Sequence, residues 1–204
     1  MISVIDYGAG NLQSVVKALH YIGCECEITS DREKILSSDG AILPGVGSFE
    51  DAMNSMRKCH ADEAVKDFIQ TGKPFLGICL GLQLLFEKSE ESPDATGLGL
   101  LKGTIRKIPN DNGTLKIPHM GWNSLDIKKQ GGLFRNIPQN SYVYFVHSYF
   151  LKAEDENIVS SQTYYGTVID SSVQYQNIMA TQFHPEKSGK VGLQMLINFS
   201  KMCG

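Results

Sequence analysis

Lys73-Pro74-Phe75-Leu76-Gly77-Ile78-Cys79-Leu80-Gly81-Leu82-Gln83-Leu84-Leu85-Phe86 carries two kinds of periodicity that meet at one residue. Residues 75–78 are a short apolar run of the kind a buried parallel strand needs, and residues 80–86 place apolar side chains at helical spacing. Between them, Gly77-x-Cys79-x-Gly81 has the form of a nucleophile elbow with cysteine in place of serine. The requirement is steric. A side chain at the tip of a tight strand-to-helix turn has close neighbours two residues away on each side, and glycine keeps them out of its path. A helix starting beneath the sulfur favours a thiolate and offers free N–H groups to a developing oxyanion. The competing reading is a buried core thiol, because free cysteine is among the most buried residue types.

Upstream of the elbow, residues 2–5 read as a first strand and Asp6-Tyr7-Gly8-Ala9-Gly10-Asn11 as the turn after it. Asn11 is placed to cap a helix carrying Leu12, Val15, Val16, Leu19 and Ile22 at helical spacing, with Gly23 as its stop. Gly8-x-Gly10 lacks the third glycine of a dinucleotide fingerprint. Residues 24–29 read as a second strand, Asp31 as the cap of a short helix, and residues 41–43 as a third strand. Pro44-Gly45-Val46-Gly47-Ser48-Phe49 follows; a glycine pair between a strand and a helix is a place where backbone N–H groups face a ligand, or else an ordinary loop. A helix beginning at Asp62 carries Val65, Phe68 and Ile69 and ends near Gly72. This alternation predicts an α/β fold with a largely parallel sheet between helices, whose sites lie at the C-terminal strand ends. Residues 44–48 and 77–81 both fall at such ends.

The second half changes character. Residues 98–108 and 115–117 flank Asp111-Asn112-Gly113, a hairpin signal, and strand-like segments follow at 122–127, 142–146, 158–162, 167–175 and 178–182, before a helix over about 190–199. Antiparallel strands are therefore expected to extend the same sheet or cover one end of it. With 204 residues and no Pro-, Gly- or Ser-rich linker, one domain over 1–204 is expected. Net charge of −3 without a basic run argues against nucleic acid as a partner. No apolar run reaches membrane-spanning length and no signal segment is seen, and the five irregularly spaced cysteines suit a reducing, cytoplasmic setting. No Cys-x-x-Cys pair or His/Cys cluster points to a metal, and no cofactor is expected.

A thiol nucleophile needs a base and a group that orients the base. Of the five histidines, His20 lies near a helix C-terminus and His60 in a polar connection, while His119 and His147 are placed to line a pocket. His184 stands at the end of another strand-like run and is followed by Pro185-Glu186. Proline sets an extended turn, which lets Glu186 hold one imidazole nitrogen while the other faces the thiol. The competing reading is a half-buried histidine with an accidental acid two residues on.

With these residues the chain resembles the triad, class I glutamine amidotransferases, and within them the glutaminase subunits of imidazole glycerol phosphate synthase. The resemblance spans essentially the whole chain. It rests on the turn 5–12, on Leu43-Pro44-Gly45-Val46-Gly47-Ser48-Phe49, on the elbow, and on Pro118-His119-Met120-Gly121-Trp122-Asn123. Tyr144-Phe145-Val146-His147-Ser148-Tyr149 and Gln182-Phe183-His184-Pro185-Glu186-Lys187-Ser188 complete it. The resemblance implies Cys79 as nucleophile, His184 as proton carrier and Glu186 as its orienter, acting on the side-chain amide of glutamine through a thioester. It implies an oxyanion hole from Leu80 and the Gly45-Val46 stretch, which reorients to point inward. It further implies glutamine contacts at Gln83, Glu91, Ser148 and Tyr149, and a partner interface near Tyr144, Lys187, Met120 and Trp122. That partner is a separate (βα)8-barrel cyclase, to which ammonia passes through a protein interior. A paralogue that feeds ammonia to another synthetase, such as a sugar-amidating one, would carry the same glutaminase residues. A cysteine peptidase and a non-catalytic regulatory subunit are the remaining readings.

Overall fold

The computed structural model describes residues 1–8, 10–110 and 113–204. The first half runs β1 (Ile2–Ile5), α1 (Leu12–Tyr21), β2 (Cys26–Thr29), α2 (Arg32–Ser37) and β3 (Gly40–Gly45), then α3 (Phe49–Lys58) and α4 (Ala61–Gln70). It ends in β4 (Phe75–Cys79) and the one-turn α5 (Leu80–Gln83). The second half adds β5 (Lys88–Ser89), β6 (Gly103–Lys107), β7 (His119–Ser124), β8 (Asp126–Ile127), β9 (Tyr142–His147) and β10 (Tyr149–Ala153). β11 (Val159–Tyr165), β12 (Thr167–Tyr175), β13 (Ile178–Thr181) and α6 (Gly189–Ser200) close the chain.

The main sheet has the order β2-β1-β3-β4-β13-β12-β10-β6-β5, with β11 and β8 attached beside β12. From β2 to β13 the strands are parallel; β12, β10 and β6 then alternate as antiparallel neighbours. β7 and β9 form a separate antiparallel pair. Strand periodicity sorts the apolar side chains onto two faces. Ile5, Leu43 and Phe75 pack with Phe49, Met53 and Phe68 of α3 and α4 on one face. Val4, Ile42, Leu76 and Ile78 pack with Val15, Leu19, Leu196 and Phe199 of α1 and α6 on the other. The helices fit this role through spacing: α3 buries Phe49, Ala52, Met53 and Met56, and α4 buries Ala61, Ala64, Val65 and Phe68.

Local chemistry sets the helix starts. Asp31 Oδ1 accepts from Glu33 N at 2.8 Å and Lys34 N at 3.3 Å, as the sequence predicts for a cap. Ser48 accepts from Asp51 N at 3.3 Å and donates its hydroxyl to the Asp51 carboxylate at 2.6 Å, which starts α3 next to the β3 end. Asn11 stands at the cap position of α1, but its side chain makes no capping hydrogen bond.

Two expectations change. The helix expected over 80–86 stops at Gln83: Leu84 N still donates to Leu80 O at 2.9 Å, but Leu85 N and Phe86 N donate only three residues back, to Leu82 O and Gln83 O at 3.2 and 3.1 Å, and Leu98 N and Leu100 N satisfy the carbonyls of Leu84 and Leu85 at 2.8 and 2.9 Å. Leu82, Leu84, Leu85 and Phe86 are all fully buried, so their apolar run reflects burial on every side rather than one helical stripe. The hairpin expected around 111–113 does not form between 98–108 and 115–117: β6 pairs with β10 and β5 instead, and residues 115–117 make no strand. Asp111 and Asn112 lie outside the described residues. The side chain of Asn110 closes this connection, accepting from Leu115 N at 2.9 Å and donating to Leu115 O at 2.8 Å. No helix among the described residues is long and apolar enough to cross a membrane.

Candidate active site

Cys79 ends β4 with φ 56° and ψ −110°, a left-handed backbone that costs a non-glycine residue on the order of 1–3 kcal/mol. The flanking glycines are what make this turn possible. A Cβ on Gly77 would stand 2.8 Å from the Gly81 carbonyl oxygen, and one on Gly81 would stand 1.9 Å from the Leu43 carbonyl oxygen. The sharp elbow anticipated from the sequence is therefore present, and it lifts Cys79 to the C-terminal edge of the sheet. Gly45 lies opposite Cys79 in the β3–β4 register, so the two glycine-rich stretches meet there.

A cavity of about 320 Å³ opens at this edge. Val46 and Gly47 line it from the β3 end, Cys79, Leu80 and Gln83 from the elbow, and Glu91 from the following segment. Pro118 and the run Val146, His147, Ser148 and Tyr149 form the opposite wall, and His184 and Lys187 close it. Thus Gln83, Glu91, Ser148, Tyr149 and Lys187 share one cavity with Cys79 and His184. Met120, Trp122 and Tyr144 do not line it: Met120 and Trp122 are 58 % and 55 % exposed, and Trp122 meets Tyr144 edge-on at 6.1 Å on the outer β7–β9 pair. Opposite Met120 in that pair is Val146, which does line the cavity.

His184 follows β13, a direct parallel neighbour of β4, and this adjacency brings it to the elbow. Glu186 folds back through the turn Pro185–Lys187, placing its Oε1 2.7 Å from His184 Nδ1. A carboxylate oxygen accepts, so Nδ1 carries the proton and Nε2 faces the cavity. The backbone is pinned as well: His184 N donates to Tyr144 O at 3.0 Å and Ser188 Oγ to His184 O at 2.6 Å. Burial works against charge on His184, but the Cys79 sulfur and the Glu186 carboxylate outweigh it and raise the imidazole to about 10. Among the described residues Nε2 has no partner within ordinary hydrogen-bond geometry, but the Cys79 sulfur lies close enough to raise the imidazole both as a hydrogen-bond partner and through its charge. The Sγ also contacts Val146 O at 3.9 Å and receives Gln182 Nε2 at 3.8 Å.

Gln182 has no role in the sequence reading, yet it is fully buried beside the sulfur. Gln83 Nε2 donates to Gln182 Oε1 at 3.0 Å and to Tyr149 O at 3.1 Å, which ties the elbow, the His184 strand and the far wall together. The signal was its spacing: residues 182 and 184 follow the same strand two apart, and a glutamine is seldom fully buried without a task. Glu91 Oε2 accepts from Phe49 N at 2.8 Å, which anchors the 91 segment to the start of α3.

His119 and His147 form a second buried pair, with His119 Nδ1 2.9 Å from His147 Nε2. Burial lowers them to about 4 and about 3, so both rings are neutral and their tautomers follow from the acceptors. His147 Nδ1–H donates to Tyr149 O at 2.8 Å, its Nε2 accepts from His119 Nδ1–H, and Asn123 donates toward His119 Nε2 at 3.4 Å. His20 and His60 are exposed and take no part in the cavity. Among the described residues no cluster of His, Cys, Asp and Glu is arranged to hold a metal ion.

The family model for glutamine amidotransferase class-I matches residues 3–202. The chain is 48 % identical to the imidazole glycerol phosphate synthase subunit HisH of Caldanaerobacter subterraneus subsp. tengcongensis, over 99 % of this chain and 98 % of the relative. It is 46 % identical to the subunit of the same name from Oceanobacillus iheyensis, covering 99 % of both chains. A further subunit HisH, from Bacillus cereus, is 50 % identical over 98 % of this chain and 93 % of its own. Among solved structures, a crystal structure of glutamine amidotransferase superposes with a TM-score of 0.76 at 18 % identity, covering 100 % of this chain and 98 % of the other. The structure of PurLQS from Thermotoga maritima gives 0.74 at 20 % identity, covering 97 % and 96 %. These two likenesses concern the fold. The family match over nearly every residue, and relatives near half identity from end to end, carry the assignment: the chain belongs to the class-I glutamine amidotransferases.

Proposed function

We propose that the chain is the glutaminase subunit of imidazole glycerol phosphate synthase, one domain over 1–204, working with a separate cyclase subunit of (βα)8-barrel fold. The three relatives near half identity described above are named imidazole glycerol phosphate synthase subunit HisH, and the main sheet draws strands from both halves of the chain. The observation that carries the chemistry is a strained cysteine and a carboxylate-held histidine facing one cavity.

Cys79 Sγ attacks the side-chain amide carbon of glutamine while its proton resides on His184 Nε2. The oxyanion that forms is held by the Leu80 N–H at the start of α5 and by a backbone N–H of the Gly45–Val46 stretch. Collapse of this intermediate, with the proton returned from His184 to nitrogen, expels ammonia and leaves a thioester at Cys79. Water, deprotonated by His184, then releases glutamate. Glu186 keeps Nδ1 protonated throughout and stabilises the imidazolium. Gln83, Glu91, Ser148 and Tyr149 bind the amino acid. Ammonia set free in water would be protonated and lost as a nucleophile, so it passes directly to the cyclase. The exposed Met120 and Trp122, with Tyr144 and Lys187, form the docking surface. The unpaired cysteines suit the cytoplasm.

The test is Cys79→Ala assayed in the complex. Synthesis of imidazole glycerol phosphate from glutamine should vanish while synthesis from added ammonium persists. Loss of both, or retention of both, contradicts the role of Cys79.

A further inference from the structure

Tyr7 lies just after β1 and is 3 % exposed, yet its buried hydroxyl has no hydrogen-bond partner among the described residues. A phenol in that position has given up its water contacts without replacement, and such groups call for a specific explanation. Its place supplies one. A Cβ on Gly45 would stand 2.6 Å from the Tyr7 hydroxyl, 2.9 Å from Leu80 Cβ and 3.1 Å from Gly81 N. The hydroxyl therefore touches the backbone of the β3 end at the residue opposite Cys79. It does so from outside the catalytic cavity, since Tyr7 lines a separate cleft with Asp6, Gly8, Ser30 and Ser55. Burial, with Cys79 adding to it, raises the phenol above its ordinary value and keeps it a donor.

What the hydroxyl lacks is an acceptor, and the adjacent peptide has one. In a trans peptide the C=O and N–H point in opposite directions. When the Gly45–Val46 peptide turns its N–H into the cavity, its carbonyl therefore turns away from it. The residues on either side allow it: Gly45 ends β3 and has no side chain, Val46 is 44 % exposed and Gly47 sits at φ 96°. Building on the glutaminase reading above, we propose that Tyr7 is a positioning residue for the oxyanion hole. Its hydroxyl donates to the Gly45 carbonyl oxygen once the Gly45–Val46 N–H faces the cavity, and holds that N–H on the oxyanion. The contact forms with the transition state, so it lowers the barrier without tightening the binding of glutamine.

Tyr7→Phe, assayed for glutamine hydrolysis in complex with the cyclase, should lose about tenfold to a hundredfold in kcat with KM changed by less than about twofold. Its melting temperature should be unchanged or higher, because an unpaired buried hydroxyl is removed. A wild-type kcat, or a loss that appears in KM instead, overturns the proposal. A second measurement needs no variant. The 13Cζ resonance of Tyr7 should shift when Cys79 captures the side-chain aldehyde analogue of glutamine as a tetrahedral hemithioacetal, and an unmoved resonance in that adduct overturns the proposal as well. An unaltered complex that fails to hydrolyse glutamine, or a Cys79→Ala complex that still does so, would instead sink the glutaminase reading on which the proposal rests.

Discussion

Glu186 Oε1 stands 2.7 Å from His184 Nδ1, and the two side chains are only 2 % and 3 % exposed. An isolated buried carboxylate would be costly, so this pair is held together by charge and hydrogen bonding in a site shielded from water. Two residues separate them in sequence, and the Pro185–Lys187 turn brings the acid back onto the ring.

Glu186→Gln keeps the shape and removes the charge. Glutamine hydrolysis should fall by about a hundredfold or more, because the amide no longer enforces a protonated Nδ1 or stabilises the imidazolium. The same variant tests linkage. His184 is raised to about 10 in the folded chain, so its contribution to stability is complete below its ordinary value of 6.5 and is lost as pH climbs through 10. The stability advantage of the wild type over Glu186→Gln should therefore shrink between pH 6.5 and 10. Urea unfolding across that range measures it, and an advantage that grows with pH would refute the assignment.

Gly81→Ala asks whether the elbow is sterically obligatory. Its new Cβ would meet the Leu43 carbonyl oxygen at 1.9 Å, and a backbone atom yields less readily than a side chain. Destabilisation of about 3 kcal/mol, at the upper end of overpacking costs, is expected in urea unfolding. A variant as stable as the wild type would mean that β3 and β4 are looser than the geometry indicates.

The neutral histidine pair makes an acid-side prediction. His119 and His147 are lowered to about 4 and about 3 when folded, whereas each takes up a proton near 6.5 when unfolded. Their contribution to stability is complete above 6.5 and is lost as pH falls toward 4, since the unfolded chain then binds more protons. His119→Phe, which keeps an aromatic ring between Phe145 and Tyr165, should flatten the pH dependence of unfolding between 6.5 and 4. An unchanged slope would show that the pair does not titrate this way.

Trp122→Ala tests the proposed docking surface. The indole is 55 % exposed and lies off the cavity, so hydrolysis by the isolated chain should be unaffected. Affinity for the cyclase should drop by at least about tenfold, as expected when a central aromatic anchor is removed. Titration calorimetry with the purified cyclase decides it, and unaltered affinity would move the interface elsewhere.

What the sequence by itself determined is whatever depends on neighbours along the chain. Gly77-x-Cys79-x-Gly81 specified the elbow because the turn folds Gly81 back onto Gly77, although the tightest contact at Gly81, with the Leu43 carbonyl, comes from β3. The cap at Asp31 and the apolar stripe of α4 follow from the same short-range geometry, as does the proximity of Glu186 to His184. Tertiary structure alone decided the rest. Only the pairing of β13 with β4 carries His184 to the edge where Cys79 stands, across a gap of more than a hundred residues. The chain leaves α5 after Gln83 to lie against residues 98–100, whose N–H groups satisfy the carbonyls of Leu84 and Leu85. The partners of β6, the Gln83–Gln182 link and the unpaired Tyr7 hydroxyl belong to the same class. Each is a competition for hydrogen bonds or space between distant segments, and periodicity reports that a side chain is buried without reporting what lies against it.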